Sequence, residues 1–63
     1  MLVLYNESLD DLIFYHYDED MKLIYNYISI AFEEWRSFES TFRTLKQVEH
    51  EFMSYGYEVI CEC

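Results

Sequence analysis

Proline is absent, glycine occurs once, and only four cationic side chains stand against 13 acids, for a formal net charge of −9. Each shortage excludes something. Without Pro- or Gly/Ser-rich stretches there is no linker, and with 63 residues the chain is expected to be one domain spanning 1–63. No P-loop, dinucleotide fingerprint or zinc-protease motif occurs. The scarcity of Lys and Arg argues against direct binding to DNA, RNA or an anionic membrane, all of which would repel the chain. Long apolar runs are also missing. Stretches such as Leu12 to Tyr15 are too short to span a bilayer, and Met1 to Tyr5 lacks the basic n-region of a signal peptide, so a cytoplasmic location is expected.

What is abundant is apolar and aromatic. Hydrophobic residues make up 52% and aromatics 21%, too much for a disordered acidic tail. A chain this small buries only about 60% of the surface it exposes when unfolded, so its core is thin. Cys61 and Cys63 form a C-x-C whose small ring strains a disulfide, and they read as thiols in a reducing compartment. A metal site completed by His16, His50 or a carboxylate is the alternative. Structural zinc sites usually carry a second cysteine pair, which this chain lacks, so no cofactor is implied.

Leu2 to Tyr5 reads as a first strand, and Asn6 to Asp11 as a polar turn. Leu12 to Tyr17 and Met21 to Ile28 flank Asp18-Glu19-Asp20 and predict an antiparallel hairpin. Its register stays open. An even loop places Leu12, Phe14 and His16 with Leu23, Tyr25 and Tyr27. A three-residue loop instead joins Ile13, Tyr15 and Tyr17 to Met21, Leu23, Tyr25 and Tyr27. In both registers both sheet faces carry aromatics, more apolar surface than one covering helix needs.

From Ser29 the period changes. Ala31, Trp35, Phe38, Phe42 and Leu45 fall at helical spacing, then Val48, Phe52 and Tyr55. Ser29 suits an N-cap and Gly56 a left-handed C′ residue. One amphipathic helix over 30–55 would be about 39 Å long at 1.5 Å per residue, and a break near Ser37 to Ser40 is the alternative. With Tyr57 to Cys61 as a last strand, the expected fold is α+β: a small antiparallel sheet, β-β-β-α-β, with one long amphipathic helix packed on it.

The acids are unevenly placed. Residues 1–34 hold eight (Glu7, Asp10, Asp11, Asp18, Glu19, Asp20, Glu33 and Glu34) against Lys22, a net of −7. Residues 35–63 hold five against Arg36, Arg43 and Lys46, a net of −2, and Glu39 and Arg43 stand at helical i,i+4 spacing. Gathered like charges repel, so the first cluster needs a reason. Solubility and protection of strand edges is the plain one. A basic partner is the sharper one. Carboxylates two apart on a strand lie about 6.5–7 Å apart, a spacing similar to successive phosphates. Such a surface suits the groove of a nuclease, helicase or regulator that grips a nucleic-acid backbone. Tyr15, Tyr17, Tyr25 and Tyr27 would add rigid contact area, although strands favour Tyr in any case. The candidate partner-binding set is therefore Asp10, Asp11, Asp18, Glu19, Asp20, Glu33 and Glu34 with those four tyrosines.

No catalytic residue is assigned, because neither histidine has a nucleophile at informative spacing and so short a chain offers little concavity. An enzyme is not expected.

In its length, its charge, the Asp18-Glu19-Asp20 turn and the Tyr-rich hairpin, the chain resembles the small acidic inhibitors that phages and mobile elements encode against host defence, the anti-restriction and anti-CRISPR proteins. The resemblance is one of overall character and assigns no residue role. It implies a stoichiometric inhibitor of a basic, nucleic-acid-handling host protein, a nucleic-acid mimic acting in the host cytoplasm. The rival expectation is a homodimeric adaptor or structural module whose acidity serves solubility, since small domains often complete their core by oligomerising.

Overall fold

The computed structural model describes residues 1–62. Its strands are β1 (Leu2–Asn6), β2 (Asp11–Tyr17), β3 (Leu23–Ser29), β4 (Glu34–Glu39) and β5 (Glu58–Glu62), with α1 (Leu45–Met53) before the last. All pair antiparallel in one five-stranded sheet of order β4-β3-β2-β1-β5. The first four strands form a meander. The chain then leaves the β4 edge, crosses one face through α1 and returns as β5 on the far edge.

Alternation in β1 and β2 builds the core. Leu2, Leu4, Ile13, Tyr15 and Leu23 are buried on the helix side, where Val48 of α1 meets them. The hairpin takes the odd register, Ile13 opposite Tyr27, Tyr15 opposite Tyr25 and Tyr17 opposite Leu23, with Met21 in the loop. Tyr15 stacks on Tyr25 and Tyr25 on Phe38, with centroids 5.1 and 5.2 Å apart, and Phe52 of α1 lies 6.2 Å from Tyr15. Among the described residues nothing covers the opposite face. It presents a row of Tyr5, Leu12, Ile28 and Trp35, with Phe14 and Ile24 beside it.

The long helix is overturned, and with it the β-β-β-α-β order. Residues 34–39 are a fourth strand, and α1 is nine residues long. The helical spacing of Trp35 and Phe38 is real but ambiguous, since in a strand the two simply point to opposite faces. The deciding partner is non-local. β3 is apolar on both faces, and pairing with β4 satisfies its second edge from Ile24–Glu39 to Ser29–Glu34. Ser29 is accordingly not a helix cap but the buried end of β3, its Oγ accepting from Phe32 N at 3.4 Å. Glu39 and Arg43 share no helix either.

The true helix start is Thr44. Its Oγ1 accepts from Gln47 N at 3.2 Å while Gln47 Oε1 accepts from Thr44 N at 3.2 Å, a capping box. At the far end Gly56 takes φ +89°, and Tyr57 N and Gly56 N donate to Phe52 O and Met53 O at 3.1 and 3.3 Å, a Schellman ending. That uses the chain's one glycine. The three hairpin loops therefore place L-residues in the left-handed region: Asp10 (φ 55°), Met21 (φ 60°) and Glu33 (φ 54°).

Candidate functional site

Because the strands alternate in direction, one end of the sheet collects the β1–β2 loop, the β3–β4 loop and the start of β5. Glu7, Asp10, Asp11, Glu33, Glu34 and Glu58 all lie there. Among the described residues the one cation alongside them is Arg36, whose guanidinium stands 3.8 Å from Glu34 on an exposed surface. Six acids against one arginine leave a side-chain charge of −5 at this end. Asp18, Glu19 and Asp20 are in the β2–β3 loop at the other end, about 20 Å away along β2 at strand rise. There they share space with Lys22 and Arg43. The expected cluster is thus divided, and its uncompensated part is the first end.

The carboxylates differ in what they can offer. Asp11 is buried and accepts from Tyr27 Oη at 2.9 Å. Asp10, half-buried, accepts from Tyr5 Oη at 2.9 Å, and its carbonyl receives Ile30 N at 3.1 Å, tying the two loops together. These bonds hold both phenols protonated: hydrogen bonding to Asp10 raises the Tyr5 pKa, and hydrogen bonding to Asp11 raises that of Tyr27. Asp18 accepts from Asp20 N at 3.0 Å and Lys22 N at 2.8 Å, which shapes its own turn. Glu7, Glu19, Asp20, Glu33, Glu34 and Glu58 are exposed.

The four candidate tyrosines lie on the helix side, not on a common outer surface. Tyr15 is 1% exposed, a core residue that offers no contact area, and its burial pushes its pKa up to about 12. Tyr25 is half-buried between Tyr15 and Phe38, and Tyr27 is half-buried over Asp11. Tyr17 is exposed at the other end and donates to Arg43 O at 3.1 Å.

The acidic end also carries apolar side chains that sequence reasoning missed. Leu9, Ile30 and Phe32 are exposed on its two loops, Phe32 at 79%. The run Ile30 to Phe32 followed by Glu33-Glu34 was visible, but a helix reading spread those residues around a stripe. Only the β3–β4 loop puts them at one tip. An exposed ring flanked by carboxylates can grip a Lys or Arg by both its charge and its aliphatic stem.

His16 lies on the uncovered sheet face and His50 on α1, on opposite sides of the sheet. Cys63 lies outside the described residues, so the C-x-C pair is not placed. Among the described residues no group of three or more His, Cys, Asp or Glu is arranged to hold a metal ion. Two surface depressions occur elsewhere, of about 340 Å³ beside Lys46 and His50 and about 420 Å³ beside Lys22 and Arg43. No described helix is long and apolar enough to cross a membrane. No protein-family model, curated protein or solved structure matches the chain.

Proposed function

We propose that the chain is a small acidic inhibitor, of the kind phages encode, that binds the basic nucleic-acid-handling surface of a host defence protein through the acidic end of its sheet. The observation that carries this reading is Phe32, exposed at the tip of a loop whose neighbours Glu33 and Glu34 belong to a group of six acids with one cation among them. The carboxylates supply steering and an image of backbone phosphates, which makes association fast and salt-sensitive. Phe32 supplies the apolar anchor that interface energetics usually require. Binding alone is sufficient for inhibition, since an occupied groove excludes nucleic acid. The host cytoplasm is the compartment in which such a target is met.

The test is capture from bacterial lysate on immobilised protein, at low and high salt. The expected catch is nucleic-acid-binding protein retained at low salt, released at high salt and displaced by added duplex DNA. Phe32→Ala is expected to weaken that capture by about 10- to 100-fold. Neutralising Glu33 and Glu34 together should slow association, whereas neutralising Glu19 and Asp20 should change it little. Capture that persists when Phe32, Glu33 and Glu34 are all replaced would sink the proposal.

A further inference from the structure

The sheet has two faces and one helix, so among the described residues one face is left without a second layer. On the uncovered side Tyr5, Leu12, Ile28 and Trp35 form a row across four strands. Phe14 occupies the middle, with its ring 5.2 Å from that of His16. Trp35 is 65% exposed. His16 Nδ1 is enclosed by protein yet has no hydrogen-bond partner among the described residues, a condition rare enough in folded proteins to need an explanation.

We infer that this face is buried against the same face of a second copy of the chain, giving a two-sheet sandwich. Two observations select a second copy. The first is charge. In a chain of net charge −9, the strand positions of this face carry no Lys or Arg among the described residues, and its carboxylates lie at the margins, Glu39 opposite Ile24, Glu58 opposite Tyr5 and Asp10 accepting from Tyr5 Oη. A basic partner would have little to pair with across the middle of this face, and a second copy meets fewer like charges here than at the acidic end. The second is area. Five strands about 4.8 Å apart and about 20 Å long give a flat footprint on the order of 450 Å² per copy. Side-chain relief such as Trp35 takes the pair to about 1,000 Å², where specific interfaces begin.

This surface adjoins the acidic end at Tyr5 and Trp35, but salt acts on the two in opposite senses. Salt weakens capture of a basic partner but strengthens self-association, because it screens repulsion between like-charged copies. The test is sedimentation equilibrium of the whole chain from about 1 µM to about 1 mM, with a monomer–dimer midpoint expected near 10–100 µM for an interface this small. Trp35 is the single tryptophan and reports directly. Its emission should move to shorter wavelength over the same concentrations, and added salt should lower the midpoint. Trp35→Glu and Ser37→Glu, both at exposed β4 positions on this face, should each raise the midpoint by about 10-fold or more. Met53→Glu, on exposed α1 surface, should leave it unchanged. Circular dichroism confirms that each variant is folded, and two face variants guard against the loss of one. A monomer throughout the range overturns the inference. So does a dimer whose Trp35 emission never shifts, which would indicate pairing along the open β4 edge, and so does a dimer that survives both face variants.

Discussion

Glu33→Gly separates strain from charge at the acidic end. Glu33 holds φ 54°, where an L side chain crowds its own carbonyl at a cost of about 1–2 kcal/mol. Glycine removes that crowding but adds freedom to the unfolded chain, returning roughly half of the gain. The strain component is therefore a stabilisation of about 0.5–1 kcal/mol. Removing the carboxylate also relieves repulsion from its neighbours, by under about 1 kcal/mol at low salt and by little at high salt. For a domain this size the sum corresponds to a rise in Tm of about 4–8 °C for each kcal/mol at low salt, shrinking but not vanishing at high salt. Met21→Gly is the control: φ 60°, the opposite end of the sheet and no change of charge. It should stabilise by the strain component alone, independent of salt. Glu33→Gln should show the charge component alone. Thermal melts of the three variants at two ionic strengths give the answer. The reasoning fails if Glu33→Gly is neutral or destabilising while Met21→Gly stabilises, or if the Met21 effect varies with salt. Partner capture then completes the comparison. Glu33→Gly should gain stability and bind its partner more slowly, and Met21→Gly should gain stability with binding intact.

Two further predictions follow from the core. Phe52 contacts the rings of Phe42, Tyr55 and Tyr57 at 6.3, 6.0 and 5.3 Å as well as Tyr15 at 6.2 Å. Phe52→Ala should cost about 3 kcal/mol, a large share of the roughly 3–9 kcal/mol expected of a domain this size. A urea midpoint that barely moves would show that this ring is not what holds α1 to the sheet. The tyrosines set the alkaline limit. With folded pKa values raised above 10.0, to about 12 for Tyr15, the neutral phenol is favoured in the folded state. Their stabilisation is complete below pH 10 and is lost as pH rises from 10 towards 12. Tyrosinate absorbance should lag and then rise together with loss of circular dichroism. Tyr15 titrating near pH 10 with the fold intact would refute this.

Local patterns carried the hairpin, the first and last strands and the Gly56 helix end, because each depends on neighbours within a few residues. The helix start was legible too, in Thr44-x-x-Gln47, but the aromatic spacing before it obscured that signal. β4 was not legible. Trp35 and Phe38 fit one helical stripe or the two opposite faces of a strand, and the choice falls to β3, whose free edge is known only once the sheet exists. The candidate acids show the same division. Their number and their concentration in residues 1–34 are written in the chain, whereas strand direction decides that Asp10, Asp11, Glu33 and Glu34 gather at one end and Asp18, Glu19 and Asp20 at the other.

The sequence by itself determined that this is a small, acidic, aromatic-rich domain with more apolar surface than one helix can cover. Its lack of glycine also ensured that left-handed turns would fall to ordinary residues. Tertiary structure alone decided which face α1 covers, which tyrosines disappear into the core, and that Phe32 stands among the carboxylates. The physical reason is that charge and hydrophobicity belong to residues, while proximity across a sheet belongs to register and strand order, which are fixed by pairing between distant segments.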